Sequence, residues 1–200
     1  MKPFIIISLL FHSVGFSQLT ARQYAENIRK NREYNANDLI EMDNGLWTEK
    51  FSDIPVTGKV FVYYGEKSNP KKVHTGNLLN GKKEGKWVRY HSTGRKSYEG
   101  NWKDGKEDGL MTSWYEDGSK KYEGSYKNGK EDGLHTHWHE RRYQWDENGH
   151  KWYEGTYKDG KKDGLWNRWY SNGKKVFEGT YKDGEVLSSK KWNKDGSVKE

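Results

Sequence analysis

Polar and apolar positions alternate in short runs over most of the chain, and nearly every run stops at a glycine-bearing pair. KKYEGSYK (120–127) sets Tyr122, Gly124 and Tyr126 on one side and Glu123 and Ser125 on the other; NGKEDG (128–133) turns; LHTHWH (134–139) alternates again before a second glycine turn. A period of two marks a strand. Asn-Gly and Asp-Gly accept the positive φ of tight hairpins. Each unit therefore reads as two strands, and consecutive units as an antiparallel meander. No Pro interrupts it after Pro70.

The units repeat. Gly76, Gly100 and Gly124 stand 24 residues apart, as do Gly81, Gly105 and Gly129, and Gly85, Gly109 and Gly133. From Gly124 to Gly155 the interval is 31, and from Gly155 to Gly179 it is 24 again, so one repeat carries extra residues between Gly133 and Gly149. Such a period indicates a repeat architecture. Upstream, DLIEMDNGLWTEK holds an Asn-Gly between alternating runs, and TGKVFVYYGEKSNPKKVHTG reads as a longer repeat, which predicts a meander starting near Asn37. Before it, TARQYAENIRKNREY predicts a short helix with Tyr24 and Ile28 on one face. A dozen strands at about 4.8 Å each would extend roughly 60 Å.

Rings recur at fixed places. Tyr98 and Trp102, Tyr122 and Tyr126, Tyr153 and Tyr157, then Phe177 and Tyr181 flank the strand glycines and predict a ladder of rings over bare Gly. One hairpin cannot shelter its own aromatic face, whereas stacked copies shelter each other's. On the alternate strands Tyr90, Trp114, Trp138 and Trp169 share a position, with Leu110, Leu134 and Leu165 four residues earlier on the same side; that side is expected to be buried. The opposite side carries Trp87, Arg89 and His91 in one repeat and Trp166, Arg168 and Tyr170 in another, and its Arg are expected to neutralise the row Glu99, Glu123, Glu154, Glu178.

Composition agrees with a thin sheet. The hydrophobic fraction is 31% and the aromatic fraction 15%, so half the apolar inventory is rings, and a thick aliphatic interior is not expected. Without Cys no disulfide helps, and stability must come from strand pairing and ring packing. A net charge of +7 favours acidic partners or anionic surfaces, although Lys in turns also keeps sheet edges soluble.

The start, MKPFIIISLLFHSVGFSQ, has a basic residue, an apolar run and small residues before a polar stretch, the pattern of a signal peptide over 1–17 with cleavage between Ser17 and Gln18. The run is short of the roughly 20 residues that a lasting anchor needs. The expectation is a periplasmic or secreted protein with no transmembrane segment in the mature chain and no nucleic-acid partner. Residues 18–44 would hold the short helix and first strand, and 45–200 the repeat domain of period 24, with its insertion at 139–145.

Tandem units with Tyr-x-Gly-x-Trp/Tyr, Lys-Asp/Asn-Gly and a Gly-initiated second strand resemble MORN repeats, in the variant common in exported bacterial proteins. The resemblance spans roughly residues 45 to 196 and is strong over 76–184; beyond, Gly65 is displaced, and Glu185, Val186 and Leu187 follow Gly184 in place of a second turn glycine. It implies an all-β, elongated hairpin meander and a scaffold or recognition role, with protein or phospholipid partners in some eukaryotic relatives. Some bacterial relatives are labelled antitoxins of toxin-antitoxin systems, a role that an exported chain would not meet.

Candidate chemistry is sparse. His135, His137 and His139 share one side of a strand, as Zn²⁺ ligands can, but three successive same-side residues span about 13 Å, too far for one ion. The glutamate row would place carboxylates about 9 to 10 Å apart, near the separation in inverting glycosidases. Its near-identical surroundings, however, give no means of driving two pKa values apart. No nucleophile with its base, phosphate loop or dinucleotide fingerprint occurs, so the reading is a non-catalytic protein without cofactors. The insertion HERRYQWDENG projects Arg141, Arg142, Tyr143 and Trp145, residue types that dominate hot spots. With Trp87, Arg89, Trp166 and Arg168 they form the expected binding set. A protein partner is expected first, a glycan stacked on exposed Trp and Tyr second, and an anionic lipid surface on Lys-rich turns third.

Overall fold

The computed structural model describes residues 21–65, 68, 70–140 and 150–199. The expected signal peptide, together with Arg141, Arg142, Tyr143 and Trp145, lies outside the described residues. A helix α1 (Ala21–Lys30) precedes β1 (Glu33–Asn35), β2 (Leu39–Glu41) and β3 (Trp47–Glu49). Then come β4 (Gly58–Tyr64), β5 (Lys71–Leu79), β6 (Lys82–Tyr90), β7 (Lys96–Lys103), β8 (Lys106–Trp114) and β9 (Lys120–Lys127). The chain continues through β10 (Lys130–Trp138), β11 (Lys151–Lys158), β12 (Lys161–Trp169), β13 (Lys175–Lys182) and β14 (Glu185–Lys191). From β4 to β14 each strand pairs antiparallel with the next, giving a 12-stranded sheet whose first edge is β1, parallel to β4.

Two kinds of turn make the meander. At Asn80-Gly81, Asp104-Gly105, Asn128-Gly129, Asp159-Gly160 and Asp183-Gly184 both central residues have positive φ, the type I′ geometry whose twist matches the strands. At the other side of the sheet a four-residue turn recurs, in which the Gly118 N–H donates to the Tyr115 carbonyl and the Tyr115 N–H to that of Ser119. The same bonds join His91 to Gly94 and Arg95, and Tyr170 to Gly173 and Lys174.

Register explains the strand glycines. Reading across the sheet, Trp87 faces Gly100, which faces Met111, then Gly124, His135, Gly155, Trp166, Gly179 and Ser189. Large and absent side chains alternate. A Cβ on Gly155 would stand 2.2 Å from the Trp166 ring, and one on Gly124 2.5 Å from His135. The large members are consequently sealed: Met111 and His135 are 1% exposed and Trp166 4%.

The buried side is therefore not the expected one. Leu110, Leu134 and Leu165 are 50%, 55% and 52% exposed, because their register partners are Ser125, Thr156 and Thr180, too small to lie over them. Trp87, Arg89, Trp166 and Arg168 share a face with the Tyr-x-Gly-x-Tyr rings, while the glutamates share the other with the leucines. Among the described residues no Arg pairs with those glutamates. Lysines of the same strand do, through Lys96–Glu99 and Lys120–Glu123 at 2.7 and 2.6 Å, and through the equivalent Lys151–Glu154 and Lys175–Glu178 pairs. A bulge between the two members brings both onto one face.

The meander does not run unbroken from Asn37. Residues 39–49 form a separate hairpin, β2–β3, laid over the start of the large sheet. The Trp47 N–H donates to the Gly81 carbonyl at 2.8 Å and the Gly81 N–H to that of Val56 at 2.7 Å. Leu39, Val56, Val60 and Leu78 make a buried aliphatic cluster, with Tyr34, Ala36, Trp47 and Trp87 packed around it. Under this cover β5 and β6 pair only at 77–79 with 82–84.

Candidate recognition groove

Among the described residues the ring-bearing face has a hollow towards each end of the sheet. One lies at the far end of the sheet, a cavity of about 430 Å³ lined by Trp152, Tyr153, Tyr157, Lys162, Trp166, Arg168, Phe177, Tyr181 and Lys191. Its origin is a change of residue: where Trp87, Met111, His135 and Trp166 fill the row, β14 supplies Ser189, leaving a space between Trp166 and Lys191. Six of the nine lining residues are aromatic, three are cations, and none is acidic. Arg168 and Lys191 are exposed, and among the described residues neither forms an ion pair with a carboxylate.

Rings set the walls. Tyr153 stacks on Trp166 at 5.9 Å, and Tyr157 meets its edge at 4.9 Å. The Trp166 indole N–H donates to the Thr156 carbonyl at 3.1 Å, and Lys162 Nζ stands 4.3 Å above the ring centre. Burial pushes the Tyr157 hydroxyl up to about 12, so it stays a neutral hydrogen-bonding group. Trp152, 43% exposed, is the open ring at the mouth.

This geometry alters the glycan expectation. Trp166 is sealed and capped by Lys162, so it offers no flat face to a sugar. Trp87 is half-buried, its indole N–H bound to the Asn77 carbonyl at 3.1 Å, with Lys83 Nζ 5.4 Å from its ring. Arg89 is exposed and lies over Tyr98 at 5.3 Å. Trp87 and Arg89 belong to the second hollow, about 380 Å³ and bounded by the β2–β3 cover, whereas Trp166 and Arg168 belong to the first. The binding set thus divides between two ends of the sheet.

The histidines have individual partners and do not converge. His135 Nε2–H donates to the Ser125 carbonyl at 2.8 Å, leaving Nδ1 to accept from the Tyr122 hydroxyl at 2.9 Å. His137 stacks on Tyr153 at 4.2 Å and meets Tyr122 at 4.4 Å; burial, then the charges of His135 and Lys121, push its pKa down to about 4. His139 Nε2 lies 3.2 Å from the Trp169 carbonyl. Among the described residues no group of three His, Asp or Glu is placed to hold a metal ion. Burial also raises Glu107 on β8 and Glu131 on β10, two strands apart on this face, above the usual carboxylate range.

Sequence reasoning missed Lys83, Lys162, Lys191 and Trp152. The signal was present in a Lys-x₃-Trp-x-Arg spacing at 83–89 and again at 162–168. The model of the MORN repeat variant matches residues 107–128, 141–159 and 162–183. Curated proteins gave no match. MORN repeats are often binding modules for proteins or membranes, and the meander of hairpins is consistent with such repeats.

Proposed function

We propose that this chain is a non-catalytic MORN-type binding protein, exported to the cell envelope, whose open groove between β11 and β14 holds a protein partner. The observation that carries the reading is the groove's lining: rings and cations without a carboxylate, next to a repeat that lacks the ring needed to fill the space. Aromatic walls supply desolvation and Arg168 with Lys191 supply charge, the combination that anchors protein partners. Crosslinking and recovery from envelope extract is the test. Wild-type protein should capture a discrete protein that is lost on Arg168→Glu; recovery indifferent to that change would defeat the reading. Export is checked by the mass of the chain outside the cytoplasm, which should begin at Gln18.

A second reading rests on the type I′ turns, where Lys103 faces Lys106, Lys127 faces Lys130 and Lys158 faces Lys161. Like charges placed opposite each other cost stability, and an anionic lipid surface would relieve them. Sedimentation with phosphatidylglycerol vesicles that vanishes as salt rises would support it.

A further inference from the structure

Lys83, Trp87 and Arg89 on β6 and Lys162, Trp166 and Arg168 on β12 hold equal places in their repeats, KEGKWVR and KDGLWNR. Their surroundings match as well. Each indole N–H donates to a carbonyl ten residues upstream, at 3.1 Å in both cases. A Cβ on Gly76 would lie 2.3 Å from the Trp87 ring, and one on Gly155 2.2 Å from that of Trp166. Lys83 stands 4.3 Å from the Trp102 ring and Lys162 5.0 Å from that of Tyr181, two rings at one repeat position. The two repeats between carry Glu107, Met111 and Ser113, then Glu131, His135 and His137, so the triad occurs at both ends of the face and not in its centre.

One of the two triads has another segment of the chain packed beside it, with Arg89 left exposed. Leu39, Glu41 and Trp47 line its hollow beside Lys83, Trp87 and Arg89, and Lys83 Nζ is 5.4 Å from the Trp47 ring. The covering segment, 36–56, carries Asp38, Glu41, Asp43, Glu49 and Asp53 against one cation, Lys50. Charge on the two sides is complementary, and the apolar contacts come from Leu39, Trp47 and Val56. No described segment covers the triad on β12.

We infer that residues 36–56 are an internal copy of the ligand type, and that the open triad on β12 takes a partner's acidic segment with a Trp or Leu anchor. This rests on the binding-module reading and names its ligand. The cover binds in cis, at an effective concentration far above that of a free peptide, so the interaction in trans is weaker and needs titration to millimolar protein.

The probe is a fluorescein-labelled peptide of residues 36–56 followed by polarisation with the full chain. Saturable binding is expected, weakened at least about tenfold by Arg168→Glu, an exposed position, which is about 1.4 kcal/mol. Arg89→Glu should leave it within about twofold, because residues 36–56 already stand against that triad in cis. A peptide with its Asp and Glu changed to Asn and Gln should not bind. Absence of binding at millimolar protein, or binding indifferent to Arg168→Glu, overturns the inference. So does an acidic oligosaccharide or phosphatidylglycerol vesicle binding at Arg168 where the peptide does not. If the peptide fails while an envelope protein is still captured through Arg168, the binding-module reading stands and only the ligand type falls.

Discussion

At β4–β6 the ring face is covered by residues 36–56 and encloses an aliphatic cluster; at β11–β14 the same face, with the same Lys, Trp and Arg, is open. Both ends lay an indole over a strand glycine, Trp87 over Gly76 and Trp166 over Gly155, although the strand pairing beneath Trp87 stops short of it. The difference is what lies on top. A single-layer sheet can seal a ring from below by removing a Cβ, but it cannot seal the upper side without a second layer. In the central repeats neighbouring rings act as that layer. Towards β14 they run out, and a hollow is left.

The largest effect should come from breaking the covered end. Leu78→Ala empties the aliphatic cluster and should cost about 2–5 kcal/mol, read as a loss of denaturation midpoint, with the β2–β3 cover released and newly sensitive to protease. If the midpoint is unchanged, the cover is ornamental and the contrast between the ends fails.

Gly155→Ala should rank next. Its Cβ would meet the Trp166 indole, a rigid ring backed by Tyr153 and Tyr157, so about 1–3 kcal/mol should be lost, and Trp fluorescence should report an indole displaced into water. Gly155→Ala without destabilisation would show that the ring row is loosely held.

Acid should sharpen the view of the centre. The folded pKa of His137, about 4, lies below its unfolded value. Between about pH 6.5 and 4 the unfolded chain binds a proton that the folded chain refuses, so stability falls as pH falls through that window. Glu107 and Glu131, with raised folded pKa values, act in the opposite direction, taking up protons in the fold first. Importing the preceding repeat's residues, His135→Met with His137→Ser, should therefore remove part of the acid-side loss. Melting curves at pH 7, 5.5 and 4.5 would show it, and parallel pH slopes for the two proteins would contradict it.

Leu165→Ala should do least, within about 0.5 kcal/mol, since the side chain is half exposed over Thr180. Its contrast with Leu78→Ala tests directly which leucines the fold uses.

Much of the meander was legible. The positive φ at Asn128-Gly129 and its equivalents is a local requirement, and the 24-residue spacing propagates it, so strand and turn positions follow from neighbours in sequence. The choice of buried face was not. LHTHWH alternates equally well with Leu134 inward or His135 inward, and hydrophobicity favours Leu134. The register decided otherwise, setting His135 between Gly124 and Gly155 and Leu134 against Thr156. For the same reason Trp166 looked like an exposed binding residue and proved to be part of the sheet's packing, while Arg168, two residues on, lines the groove.

Local backbone demands were thus enough to determine the repeating hairpins, their turns and the ring ladder, because each needs only residues close in the chain. Which side is sealed, and where the sealing stops, depended on pairing between strands and on a distant segment folding back over Gly81 and Trp87. Burial is a property of what stands opposite a side chain, and that is set by tertiary structure.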